Sequence, residues 1–295
     1  MTLALSAVAL WSGSTVVEKL LLRQIPPLTL LVWQLGSSVT VLWGLVMCCR
    51  VALPERSDLL RLSWPGLIQP GVANLLLLLG LSLTNAIIFS FLNALETPLG
   101  LLFARLLLGE RLKRPVMALA SLATFGAVLV ALSGPDNGQR STIQGLLLVL
   151  SGTVFAALYG AVSQSTVSAR TSSSPLLLVA LQQTLAFAAV LITWVLVAVP
   201  GGEPRLLGAL PVATWGLAAL AGVFQYVLPF WLFLLALRSL RVSNATLMFT
   251  LGPVFVSCGA FLFLGEHLSA FQGYGSALTL VALIAVSWYQ RRPAG

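Results

Sequence analysis

Residues 84–112 read TNAIIFSFLNALETPLGLLFARLLLGERL, and residues 242–268 read VSNATLMFTLGPVFVSCGAFLFLGEHL. Each run is apolar for long enough to cross a hydrocarbon core about 30 Å thick, which takes roughly 20 helical residues. Each holds a proline near its middle, Pro98 in one and Pro253 in the other. Each also stops on the same signal, Gly109-Glu110-Arg111-Leu112 and Gly265-Glu266-His267-Leu268. Further correspondences appear on moving outward. Pro27, Leu28 and Gln34 recur 148 positions later as Pro175, Leu176 and Gln182, and Leu10-Trp11 becomes Leu158-Tyr159 at the same offset. Trp64 and Trp215 each open an apolar run. The chain therefore reads as two copies of one unit.

Charges, prolines and glycines bracket ten apolar runs, at about 2–22, 28–48, 64–82, 84–108, 114–133, 143–165, 175–199, 212–236, 242–264 and 268–289. The expected fold is an all-α membrane protein of ten transmembrane helices, with halves at 1–133 and 143–289. Five spans is an odd number, so the second half enters the membrane from the opposite side and the repeats are inverted. Inverted repeats recur in secondary transporters, with a substrate site near the midplane between the halves.

Composition agrees. Hydrophobic residues make up 58% of 295 and charged residues 8%, and the mean hydropathy is +0.99. A soluble domain carries about 25% charged residues, because its exterior faces water. The connectors at about 49–63, 134–142, 166–174 and 200–211 are too short to form a soluble domain. The opening residues lack a basic n-region, so the run to about Leu22 is expected to be a membrane span rather than a leader.

The net charge of +8 does not point to nucleic acid, because the basic residues lie between apolar runs rather than on one polar face. With the N-terminus inside, twelve Lys and Arg residues fall on the inner side and four (Lys19, Arg23, Arg140, Arg205) on the outer. That asymmetry predicts both termini in the cytoplasm. The cysteines Cys48, Cys49 and Cys258 form no CxxC or Cys/His cluster, and His267 is the sole histidine. No metal site, and no cofactor of any kind, is expected from such material. The cysteines themselves are expected to be small apolar fillers within helices.

In its Leu10-Trp11-Ser12-Gly13-Ser14 run, its proline-containing fourth and ninth spans and the Gly-Glu ending of each, the chain resembles the EamA-type transporters of the drug/metabolite transporter superfamily. The resemblance covers nearly the whole chain. It implies a central cavity lined mainly by the first, third, fourth, sixth, eighth and ninth spans, alternating access, and export of amino acids or other small metabolites from a bacterial plasma (inner) membrane. There are departures. Many relatives carry Arg where the second span has Gln34, and Glu-Pro where the fourth has Glu96-Thr97-Pro98; the ninth has Gly252-Pro253 without a carboxylate.

Glu96 lies at the middle of the fourth span and is expected to be the one ionisable group near the membrane centre. A carboxylate there costs at least ~2.5 kcal/mol on insertion scales, so it faces a cavity or a partner. It is a candidate proton-coupling or ammonium-binding group; a hydrogen-bonded packing role is the alternative. Trp11, Ser14, Gln34, Asn93, Tyr159, Gln182, Gln225 and Asn244 are the further candidates for the cavity. Pro98 and Pro253 are candidate hinges, because proline removes a backbone hydrogen bond. Glu18 and Lys19 are expected near the outer end of the first span, snorkelling to water or, as the alternative, helping to form an outer gate or rim of the cavity. Glu110 and Glu266 are expected to satisfy N–H groups at the start of the helix that follows each. Gly273 and Ala277 form a small-residue face for packing within the monomer or, failing that, in a homodimer.

No GxxxxGK[ST] pattern is present, so ATP is not the expected fuel. The expected partners are the lipid bilayer and a small-molecule substrate. The alternatives are a non-transporting scaffold or sensor, a carrier of another solute class such as sugars or nucleosides, and an intramembrane enzyme. The last lacks clustered catalytic groups.

Overall fold

A computed structural model describes residues 2–110, 114–132, 141–168, 174–238, 251–267 and 269–291. The described chain is all α, and its helices occupy ten spans. The first half holds Thr2–Leu21, Pro27–Cys48, Asp58–Ser82, Ala86–Leu108 and Arg114–Leu132. The second holds Ile143–Ser168, Pro175–Val197, Val212–Leu237, Gly252–Leu264 and Ala270–Arg291. The first part of the ninth span, with Asn244, lies outside the described residues. The connector expected at 49–63 is shorter than its sequence suggests, because Arg56–Ser63 is already helical and runs into the third span. The third and fourth spans meet in a tight corner, where the Asn85 side chain accepts a hydrogen bond from the Ile88 N–H at 2.7 Å and caps the fourth.

Polar and apolar residues are arranged inside out. Gln34, Ser38, Thr97, Ser163 and Gln183 are fully buried, whereas Leu262, Phe263 and Ile192 lie open on the exterior. In water this arrangement would be unfavourable; against lipid tails it is the stable one, because interhelical polar groups need partners and apolar groups do not. The cysteines follow the exterior pattern. All three are exposed, so they face the surroundings rather than filling gaps in the packing as expected.

Packing follows a pseudo-two-fold. The third and fourth spans pack on the sixth, and the eighth and ninth pack in the same way on the first. The eighth leans on the second as the third leans on the seventh. The second pairs with the seventh and the fifth with the tenth, each span meeting its own repeat mate. Exchanging the halves therefore maps the contacts onto themselves, and the mates run in opposite directions. Small residues permit the close approaches. A Cβ on Gly222 would lie 2.5 Å from the Gln34 carbonyl oxygen, and one on Gly66 would lie 1.9 Å from that of Gln182. Gln34 and Gln182 are repeat mates, so the same contact is built twice.

The tenth span packs on the fifth through Gly275 and Thr279, opposite Gly126. This corrects the expectation for Gly273, which has no side-chain or backbone neighbour at the Cβ position, and for Ala277, which is exposed.

Candidate functional site

Several spans are broken where the halves meet. The fourth divides at Ala94-Leu95 into the half-helices Ala86–Asn93 and Glu96–Leu108. Pro98 sits in the first turn of the second half-helix, where its missing N–H leaves nothing unsatisfied. Pro253 holds the equivalent place in Gly252–Gly259. Each proline thus stands in the first turn of its helical segment; Ala94 and Leu95, ahead of Pro98, keep right-handed helical dihedrals, and the residues before Leu251 lie outside the described ones. The third span loosens into a π-helical segment at Leu67–Val72, where Gln69 is non-helical (φ −147°, ψ 129°), and the eighth does so at Val223–Val227.

These irregular segments surround one cavity of about 80 Å³. The first span contributes Val8, Trp11, Ser12, Thr15 and Glu18, and the third contributes Gln69 and Asn74. Asn93 and Glu96 come from the fourth, Gln225 and Tyr226 from the eighth, Gly252 and Pro253 from the ninth. A water needs about 10–15 Å³ on this measure, so the space suits a solute of roughly five to eight heavy atoms.

Of the residues expected at the cavity, Trp11, Asn93, Glu96 and Gln225 come together there, with Pro253 beside them. The Trp11 indole N–H donates to the Gln225 carbonyl oxygen at 2.9 Å, and its ring meets Phe230 edge-on at 5.3 Å. Asn93 accepts from the Thr153 hydroxyl at 3.2 Å. The other expected residues lie elsewhere. Tyr159 is buried under Phe230, with its hydroxyl donating to Gln182 Oε1 at 2.8 Å. That bond consumes both residues as packing, and the sixth span lines no part of the cavity, contrary to expectation. Gln34 is fully buried behind the first span, Ser14 faces an outer groove beside the eighth span, and Pro98 faces a lateral apolar pocket lined by Arg105 and Met117.

Glu18 corrects the sequence reading most. It is 3% exposed and lines the cavity with Glu96, so two carboxyl groups, not one, line the cavity. The signal was present in the spacing: Val8, Trp11, Thr15 and Glu18 fall on one helical face. Gln34 and Tyr226 are near enough to Glu18 to interact with it electrostatically, and Asn74 stands beside Tyr226. Yet Glu18 Oε1, the Gln34 amide, Asn74 Oδ1, Gln225 Oε1 and the Tyr226 hydroxyl all lack a hydrogen bond of good geometry. Gln69 is a further lining residue that sequence reading missed.

Lys19 does not snorkel either. It is 6% exposed, and its Nζ donates to the carbonyl oxygens of Leu81, at 2.9 Å, and Thr84. Glu266, which acts on Lys19 electrostatically, accepts from the N–H groups of Ala86 at 2.9 Å and Ile87 at 3.0 Å. It therefore caps the fourth span in the other half, not the tenth span that follows it. Together Lys19 and Glu266 tie the ends of the first, third, fourth and ninth spans beyond Leu81 and Phe89, which line the cavity. Gly109 and Gly265 share φ 68°, so both Gly-Glu turns have the same left-handed form, which glycine adopts without strain. The segment that pseudo-symmetry would offer to Glu110 lies outside the described residues.

The sequence model of the EamA-like transporter family matches residues 1–132 and 143–288. A transporter of Bacillus subtilis (strain 168), itself described as uncharacterized (YyaM), is 25% identical over 222 residues, covering 75% of this chain and 70% of its own. A protein known from its crystal structure superposes with a TM-score of 0.71 at 19% identity, over 98% of both chains. That likeness establishes the fold.

Proposed function

Because the chain belongs to the EamA-like transporter family, and is a transporter rather than an enzyme, we propose that it exports a small polar metabolite, an amino acid or related compound, by alternating access. The observation that carries this reading is the cavity between the halves, where polar side chains stand among apolar ones such as Leu78, Phe89 and Val256. It is small, and amides, hydroxyls and two carboxyl groups share its wall with these apolar side chains, a lining suited to a small amphipathic solute that carries charge. The interrupted helices around it supply the flexible joints that such a site uses. In this reading Glu96, at the start of a half-helix, exchanges a proton for the solute. The N- and C-termini lie in the cytoplasm of a plasma (inner) membrane, as the distribution of Lys and Arg favours. The Lys19 and Glu266 contacts then form a closed outer gate. Gly273 and Ala277, left unpacked on the tenth span, are where a second copy would pack if the protein is a homodimer.

The test is flux into proteoliposomes from a panel of labelled amino acids, sugars and nucleosides, for wild type and Glu96→Gln. Saturable flux of amino acids is expected, with the variant losing its response to a pH gradient. Flux confined to sugars or nucleosides would contradict the amino-acid reading. A pH response retained by Glu96→Gln would remove Glu96 as the proton site.

A further inference from the structure

The cavity holds two carboxyl groups, and among the described residues no Lys, Arg or His lines it. Lys19, next in the chain to Glu18, does not line the cavity; its ammonium donates to the Leu81 and Thr84 carbonyls and is acted on electrostatically by Glu266. Glu18 is therefore without a cationic partner. The buried polar atoms left without hydrogen bonds on the cavity wall are also one-sided. Glu18 Oε1, Asn74 Oδ1 and Gln225 Oε1 only accept, and of the unpaired atoms that line the cavity the Tyr226 hydroxyl alone can donate, with the Gln34 amide beside Glu18 just outside the lining. Leaving such atoms unpaired in a buried site is costly, and the group that satisfies all of them is one rich in N–H donors with a positive charge. An alkylammonium, with three donors on a compact head, fits both the atoms and the volume.

We infer that Glu18, with Asn74, Gln225 and Tyr226, is the anchoring site for the ammonium group of the transported solute, and that this group rather than a carboxylate is what the protein recognises. This rests on the transport reading above and narrows it. Glu96 is left for the proton and Glu18 for the solute. A solute carboxylate meets no charged partner in the cavity, so simple amines are recognised along with amino acids, and hydroxy acids are not.

Three probes of similar size separate the groups: L-alanine (ammonium and carboxylate), ethanolamine (ammonium and hydroxyl) and lactate (carboxylate and hydroxyl). Binding is read on the purified full-length protein by titration calorimetry, and by the shift in thermal midpoint. L-alanine and ethanolamine are expected to bind wild type and lactate not. Glu18→Gln is expected to bind both amines about ten- to hundredfold more weakly, the loss of one charged hydrogen-bonding partner. Glu18→Asp, which keeps the charge, is expected to recover part of that loss, which a variant that merely misfolds would not show. Glu55→Gln, at an exposed carboxylate, is expected to leave binding unchanged. Lactate binding as tightly as L-alanine, or undiminished binding by Glu18→Gln, overturns the inference even where amino-acid flux is seen. Glu18-dependent ethanolamine binding without amino-acid flux upholds it and overturns the amino-acid reading instead. No binding of either amine overturns it as well.

Discussion

Glu18 and Lys19 are neighbours in the chain, yet about 100° apart around the helix, and that angle separates their roles. Glu18 falls on the face with Trp11 and Thr15 and enters the cavity; Lys19 falls on the next face and is bound by two backbone carbonyls. Counting residues from the helix end placed both near water and suggested snorkelling. The partners that held them instead, at Leu81 and Thr84, are over sixty positions away and leave no trace in local sequence. The helical spacing of Glu18 was legible; the fate of Lys19 was not. Glycine offers a test at the same scale. Helix propensity favours Ala over Gly by about 1 kcal/mol, so Gly66→Ala would stabilise the third span if nothing opposed it. The Gln182 carbonyl at 1.9 Å from the new Cβ does oppose it. Overpacking of this kind costs about 1–3 kcal/mol. Gly66→Ala is therefore expected to lower the thermal midpoint of the purified protein, and Gly13→Ala, with nothing within 4 Å, to leave it unchanged or raise it. A Gly66→Ala protein as stable as wild type would show that this contact is not close-packed.

At the level of the helices, proline marked the broken spans but not the position of the breaks. Pro98 and Pro253 mark the fourth and ninth spans, and each lies in the first turn of a helical segment. The π-helical segments of the third and eighth spans also have a proline within or just after them, Pro70 and Pro229, but a proline does not say that Gln69 leaves the helix and faces the cavity. The Gly-Glu endings were legible as repeated turns. What they cap was not, because Glu266 reaches across to the fourth span. If Lys19 and Glu266 hold the outer side shut, weakening either should favour the open form. Loss of one hydrogen bond to a charged group is worth about 1.5–3 kcal/mol, hence roughly a ten- to hundredfold shift in population. In Asn93→Cys, a charged thiol reagent added to intact cells is expected to react that much faster once Lys19→Met or Glu266→Gln is introduced. Cys48 and Cys49, exposed at the end of the second span, should react only after permeabilisation if the termini are inside. Unchanged labelling at position 93 in both variants would rule out the gate.

Over the whole molecule, the ten spans were legible in the sequence, because lipid imposes apolar lengths that composition reports directly, and the recurring motifs exposed the repeat; which spans pack together was not legible. The chain's exterior, with Leu262, Phe263 and Ile192 outward and Gln34 and Gln183 inward, is the consequence. The cavity was less legible, since the pseudo-two-fold that governs the packing does not govern the site. Trp11 borders the cavity while its mate Tyr159 is sealed by Gln182 and Phe230. Only side-chain packing distinguishes the two positions, and packing is not written in spacing. The asymmetry leaves, among the described residues, one small site where the two halves meet, and the proposed alternating access would expose it to one side at a time. A carrier with a single site exposed to one side at a time shows counterflow. Proteoliposomes loaded with unlabelled L-alanine and diluted into a trace of labelled L-alanine should therefore accumulate label above its outside concentration before declining. Label that merely equilibrates, at a rate linear in concentration and indifferent to the internal load, would contradict alternating access.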